Sequence, residues 1–322
     1  MTANTHLEHP EDMVFTHGLQ GFMLDFFYGL PKDHKVSVKW DGAPALVWGR
    51  CPSTNEFFVG TKSVFNKKLI KINYNHRDID RNHQGVVAKI LHVAFECLPV
   101  PSQGYLQGDF IGFGGSDVFQ PNTIEYRFSS VITNSIVVAV HTAYRGAFLQ
   151  PTASYGISVD DIRFDDKRSS RCYLIDTTHA HINFRNPVQR LIDTAKVKWF
   201  TLRSKQPVDT ASQNYLKTHV NSFIRSGSFP SAQIMYDSLP DKYKCKVNVD
   251  LFYLYHIIHD LKMRVLKQVE VTNDAECFID GQPTDPEGFV ISNYKQTYKL
   301  VDRLEFSKAN FTLNKNWTNE KV

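Results

Sequence analysis

Cysteine is scarce in this chain of 322 residues: five, at 51, 97, 172, 245 and 277, with none of the paired spacings of a zinc site or a secreted disulfide framework. Reduced thiols are the expectation. Long hydrophobic runs are missing too, since no apolar stretch reaches the ~20 residues that a membrane-spanning helix needs. The opening Met1-Thr2-Ala3-Asn4 has neither the basic nor the apolar region of a signal peptide. No membrane partner and a cytoplasmic location follow as expectations. There is no internal repeat and no low-complexity tract. The one glycine-rich run, Gly112-Phe113-Gly114-Gly115-Ser116, lacks the Lys-Ser/Thr of a P-loop and reads as a turn. His6, Glu8 and His9 are possible metal ligands, but polar residues just before Pro10 usually serve solvation or capping.

What the chain does have is 42% hydrophobic residues, enough for a large core. Its net charge of +4 is unevenly spread. From His181 to Glu270 fourteen Lys and Arg face seven acids, a formal +7, and the remainder is slightly acidic. Lys242, Lys244 and Lys246 cluster there, and Trp199, Tyr215, Phe223 and Tyr243 are interleaved with the cations. Such a mixture suits a polynucleotide, because cations release phosphate counterions and aromatic rings stack on bases; it also suits a solvated helical face. Helical spacing predicts helices over 188–203, 211–224 and 249–269, and another over 79–98. Pro10, with Glu11 and Asp12, fits a first helical turn, and the apolar run through Phe22, Leu24, Phe27 and Leu30 continues it or starts a second. Short alternating strands fill 35–62 and 105–144, and two more centre on Phe289 and Tyr298.

Chemistry concentrates at strand ends. Lys39-Trp40-Asp41-Gly42 follows the alternating Val36-Ser37-Val38 and precedes Ala45-Leu46-Val47-Trp48. A lysine there is a candidate nucleophile, inert until partners take its proton. An ordinary hairpin turn also explains Asp-Gly. Four later segments supply partners in order: Glu56 to Lys62, a strand ending in a cation; Tyr105 to Phe110, carrying Asp109; Ile136 to His141; and Glu287-Gly288-Phe289-Val290-Ile291, followed by Tyr298-Lys299-Leu300-Val301.

This ordered set resembles the covalent nucleotidyltransferase superfamily of ATP-dependent DNA ligases, RNA ligases and mRNA capping enzymes. The whole chain also resembles proteins of T4-like marine phages, which share Thr5-His6-Leu7-Glu8-His9 and Phe119-Gln120-Pro121-Asn122-Thr123; a phage protein would work in the host cytoplasm. The superfamily resemblance implies an α+β fold: an antiparallel-sheet adenylation domain over 1–184 and 276–322, a basic helical insertion over 185–275, and no C-terminal OB-fold, because about twenty residues follow Lys299. It implies ATP and Mg2+ as cofactors and nicked or broken DNA or RNA as partner, with the chain acting as a monomer. Lys39 would accept the nucleotide, with Asp41 and Gly42 in its motif. Lys62 would contact ribose or phosphate, and His141 would line the nucleobase side or sit satisfied in the core. Glu287 would hold the metal, and Asp109 the ribose or a second ion. Lys299, with Lys295 as competitor, would contact the α-phosphate and depress the pKa of Lys39. Lys242, Lys244 and Lys246 would bind the polynucleotide. The chain departs from the pattern in having Lys62 for Arg, Asp109 for Glu, and Val301 for the second closing lysine. The product is a sealed phosphodiester; a capping enzyme, or a non-catalytic nucleic-acid-binding protein on the same fold, is the alternative.

Overall fold

The computed structural model describes residues 7–16, 34–165, 171–182, 187–272, 275–292 and 297–306. His6, Lys295 and the run from Phe22 to Leu30 lie outside the described residues. The chain forms β1 (Lys35–Lys39), β2 (Ala45–Arg50), β3 (Phe57–Thr61), α1 (His76–Asn82) and α2 (Gly85–Cys97). It continues through β4 (Tyr105–Phe113), β5 (Ser116–Phe119), β6 (Glu125–Ile132), β7 (Ile136–Arg145), β8 (Thr152–Tyr155), β9 (Cys172–Asp176) and β10 (Ala180–Ile182). Helices follow: α3 (Pro187–Arg203), α4 (Thr210–Arg225), α5 (Ala232–Asp237), α6 (Asp241–Lys244) and α7 (Val249–Leu266). Strands β11 (Val269–Val271), β12 (Ala275–Ile279), β13 (Gln282–Thr284), β14 (Gly288–Ser292) and β15 (Thr297–Val301) close the set.

The architecture is α+β with mainly antiparallel sheets. One sheet runs β3-β2-β4-β7-β8, with β9 parallel to β7; a second is β1-β14-β15; a third is β13-β12-β6-β5. β1 and β2 therefore belong to different sheets, which removes the hairpin reading of Asp41-Gly42. The dipeptide carries the chain across a cleft instead. The helix expected over 79–98 is two helices, broken before Gly85, whose φ of +59° suits a residue without Cβ. On α2 the buried stripe Ile90, Leu91, Ala94 and Cys97 follows helical spacing and packs on Leu106 and Val138 of the large sheet.

β10 pairs with β11, so the helical insertion leaves and returns through a two-stranded neck. Its core is not private. Leu216, Val220 and Ile224 of α4 and Leu251, Leu254 and Ile258 of α7 share one cluster with Met13, Val14 and Phe15 and with Ile291, Tyr298 and Leu300. Each such side chain contributes about 1.5–3 kcal/mol when fully buried. Helices thus cover one face of β14 and β15, leaving Val290 and Lys299 on the other face, which opens to the cleft.

Residues Pro10–Phe15 form a 3-10 helix, and Glu11 and Asp12 are buried within it rather than decorating a helix end. Lys262, fully buried on α7, donates to Glu11 Oε1 at 2.5 Å; Arg303 donates to Asp12 Oδ1 at 2.8 Å and also reaches Asn221. Burial raises the Glu11 pKa, but Lys262 and Arg303 outweigh it and hold the carboxyl below its ordinary range. The cluster ties the start of the chain, α4, α7 and the residues after β15 together. Lys262→Ala strands a buried carboxylate and is expected to cost about 3–5 kcal/mol, whereas Glu11→Leu with Lys262→Met is expected to cost far less. Urea unfolding of both variants checks this, and equal stability of Lys262→Ala and wild type would refute it.

Candidate active site

Lys39 ends β1 opposite Gly288 of β14, and that register sets its ammonium against the Glu287 carboxylate in a direct ion pair. A Cβ on Gly288 would lie 2.1 Å from the Leu300 carbonyl oxygen, so only glycine lets β14 approach β15 at this point. Gly42 is under a similar constraint: a Cβ there would lie 2.7 Å from the Phe110 oxygen and 2.8 Å from Asp109 Cβ. Close passage of the Asp41-Gly42 crossing over β4 is what brings Asp109 to the same cleft as Lys39.

Asp41 lines the cleft, and the loop beside it also holds its carboxylate. Its carboxylate accepts hydrogen bonds from Asn122 Nδ2 (2.8 Å), Thr123 N (2.8 Å) and Ile124 N (3.3 Å), while its amide donates to the Tyr126 hydroxyl at 2.6 Å. The carboxylate anchors the 122–124 loop at the wall of the cleft. Trp40 packs below, its ring 4.4 Å from that of Tyr126.

Asp109 and His141 meet across β4 and β7. The register passes from Gln107↔Thr142 to Gly108↔Val140, leaving His141 unopposed in a bulge. His141 Nε2 lies 3.6 Å from Asp109 Oδ2 and Nδ1 lies 2.7 Å from Thr142 Oγ1. The ring lines the cleft, in keeping with the pocket rather than the core alternative.

The cleft has a volume of about 730 Å3 and gathers Lys39, Asp41, Gly42, Lys62, Asp109, His141 and Lys299. That volume is in the range of small-ligand sites. Sequence reasoning missed Gln107, Tyr155, Thr177 and Leu7, which also line it. Gln107 was accessible by strand alternation from Asp109. Tyr155 and Thr177 lie where the sequence shows only turn residues, and Leu7 arrives because Glu8 bridges to Tyr298 and accepts from the Lys299 amide at 3.2 Å. Val301, where a second lysine was expected, is buried with Val38, Trp40 and Phe306.

Electrostatics at Lys39 run opposite to the expected depression. Burial pushes its pKa down, but the Glu287 carboxylate, with Asp109 and Asp41 behind it, wins and holds the amine above its ordinary value. Lys299 is the lysine that is lowered, by burial and then by Lys39 and Arg303. Burial also raises the Glu287 carboxyl against the pull of Lys39. Among the described residues no group of three or more His, Cys, Asp or Glu could hold a metal. Asp109 and Asp41 line the cleft, and Glu287 meets it through its ion pair with Lys39; one or two carboxylates are the complement that magnesium takes when phosphates supply its other ligands, and Lys39, Lys62 and Lys299 suit the phosphates.

The lysines proposed for a polynucleotide have local partners. Lys244 Nζ donates to the Asp237 carbonyl at 2.7 Å, and Lys246 Nζ to Asp209 Oδ2 and Ser212 Oγ at 2.9 Å each. Lys246 and the Ser212 amide hold Asp209 down to about 2. The Lys242 ammonium lies 4.8 Å from the centre of the Tyr243 ring, which itself stacks on Tyr215 at 3.8 Å.

Two outcomes are expected. Glu287→Gln removes the charge that holds Lys39 protonated, so the Lys39 titration moves to lower pH; NMR of the 13C-methylated amine reads this, and an upward or absent shift would contradict it. Asp41→Ala strands three donors, two of them backbone amides, and is expected to cost about 2–4 kcal/mol, with a visible change at Thr123 and Ile124 amides in 15N spectra. Unchanged amide signals would contradict the anchoring role of Asp41.

No curated protein matches this chain, and no solved structure does. A family model matches residues 4–315. That span covers nearly the whole sequence, and the chain is therefore a member of DUF6267, a family of unknown function.

Proposed function

We propose that the protein is an ATP-dependent polynucleotide ligase that carries AMP on Lys39. The observation behind this reading is the Lys39–Glu287 ion pair at the junction of two sheets, with Lys299 on the same side of the cleft. ATP is a substrate, and its triphosphate would lie among Lys39, Lys62 and Lys299. Magnesium, when bound, would be held by Glu287 and Asp109 and supplies charge neutralisation to the phosphates.

Lys39 acts as nucleophile. Its amine loses a proton and bonds to the α-phosphorus as the bond to pyrophosphate breaks. Glu287 is in contact with that amine, so drawing its carboxylate toward magnesium would let the proton pass to solvent. Lys299, half-buried in the cleft lining, would offset charge developing on the α-phosphate. In the second step a 5′-phosphate oxygen attacks the same phosphorus and the bond to Lys39 breaks. In the third a 3′-hydroxyl attacks the activated 5′-phosphate and AMP leaves. His141 and Asp109, linked across the bulge, would hold the nucleoside.

Exchange of labelled pyrophosphate into ATP reports the first step alone. Lys39→Ala is expected to abolish exchange, and Lys299→Ala to lower it by roughly two powers of ten, the effect of losing one preorganised partner. Exchange that persists in Lys39→Ala would remove the proposal; normal exchange in Lys299→Ala would move the closing role to another lysine.

A further inference from the structure

Outside the cleft, α1 and α2 are braced by a cluster that the adenylation chemistry does not use. His76 and Asp80 share one face of α1, four residues apart, and His92 and Glu96 do the same on α2. Between the helices, His76 Nε2 lies 2.8 Å from Glu96 Oε1, His76 Nδ1 lies 2.7 Å from His92 Nδ1, and His92 Nε2 lies 2.9 Å from Asp80 Oδ1. All three contacts cross from one helix to the other at hydrogen-bond distance. The ring centroids are 5.0 Å apart and the planes are tilted by 25°. At that nitrogen separation such a spacing means that the rings meet end on and nearly coplanar, not face to face. The other charged groups nearby are turned elsewhere: Asp78 to Arg81, Lys89 to the Phe113 ring, and Arg171 to the Glu96 carbonyl. Arg77 is exposed, and β3, on which α2 packs, carries no charged residue. Ile136, Val138 and Val140 of β7 meet α2 with apolar side chains.

Counting hydrogens decides the state of this cluster. Ionised carboxylates only accept, so both Nε2 atoms carry a hydrogen, and the contact between the two Nδ1 atoms needs a third. Two neutral imidazoles own two and two imidazoliums own four. With two, either the Nδ1 lone pairs face each other or a carboxylate loses its donor; with four, two N–H groups collide. We propose that His76 and His92 share one proton and form a pH-gated latch between α1 and α2, closed only while the pair is singly charged. A metal ion does not fit in place of the proton, because end-on nitrogens would have to stand about 4 Å apart to bind it at about 2.0 Å each. The latch matters to α1, whose one buried residue is Ile79. It reaches the cleft through Asn82 at the end of α1, which donates to Asn73 Oδ1 at 2.9 Å and to the Ile72 carbonyl at 3.4 Å, and whose own carbonyl accepts from Lys71 Nζ at 2.7 Å. The same segment carries Lys62, Phe65 and Asn66 into the cleft wall. Gly85, at the junction of the two helices with a φ of +59°, is the point about which α1 would turn when the latch opens.

The sign of the pH dependence follows from the same count. Histidines of the unfolded chain titrate independently at about pH 6.5. Above that range they hold two ring hydrogens against three in the closed latch, so the latch loses stability as pH rises; below it they hold four, so the latch loses stability as pH falls. Its contribution therefore peaks between the limits, whereas two separate histidine–carboxylate ion pairs would strengthen steadily on acidification until the carboxylates themselves protonate. The test is urea unfolding of the full chain as wild type, His76→Ala, His92→Ala and the double variant, from about pH 5 to about pH 8. Both rings are partly exposed, so the variants keep the fold. The double-mutant cycle is expected to give a coupling of about fivefold in the unfolding equilibrium near the middle of the range, the scale of one hydrogen bond, and less at both ends. Nitrogen NMR of the wild type is expected to show scalar coupling between the two Nδ1 atoms across the shared proton, and the Lys62, Phe65 and Asn66 amides are expected to titrate in wild type but not in the double variant. A coupling that is absent or that rises steadily toward pH 5 overturns the latch, as does the lack of Nδ1–Nδ1 scalar coupling. Zinc chloride at one equivalent is expected to leave both rings unchanged, and tight binding there would put a metal in place of the proton. Cleft amides that ignore the titration would overturn the link to the cleft.

Discussion

Everything at the cleft depends on one electrostatic contact, the pairing of the Lys39 ammonium with the Glu287 carboxylate. Each group is partly buried, which penalises an isolated charge. Together they neutralise one another, and the register of β1 on β14 fixes them at a strand end. Gly288 permits that register, and Gly42 lets the next segment cross to the large sheet. A protonated lysine is the resting state that results. Any ligand that draws on Glu287 changes the charge balance at Lys39, so the pair couples occupancy of the cleft to the readiness of the amine.

Much of this was readable from the sequence, for a physical reason. Lys39, Lys62 and Glu287 stand at or next to strand ends, and Asp109 and Lys299 lie within strands; alternation together with a neighbouring glycine or turn marks most of them, and both are local signals. What the sequence does not show is non-local. The Asp41 carboxylate, besides lining the cleft, accepts from backbone amides 82 and 83 positions away. The sign of the Lys39 shift depends on which of two neighbours is nearer, a distance no spacing reveals. Tyr155 and Thr177 reach the cleft from stretches without periodicity. The acceptors of Lys244 and Lys246, the Asp237 carbonyl and Asp209, are visible only after folding.

The fold also explains why a segment as early as Leu7–Phe15 belongs to the site. Met13, Val14 and Phe15 close the helical core, Glu11 and Asp12 neutralise Lys262 and Arg303, and Glu8 docks on β15 beside Lys299. The strand carrying Lys299 thus has packed helices on one face and the cleft on the other. Helices and cleft are parts of one structure, so displacement of the insertion would be felt at Lys299.

The most direct measurement is mass spectrometry of the intact protein after incubation with ATP and magnesium, followed by peptide mapping. The account predicts a gain of one adenylate per chain, located on Lys39 and removed by added pyrophosphate. An unmodified chain, or adenylate on a residue other than Lys39, would contradict it.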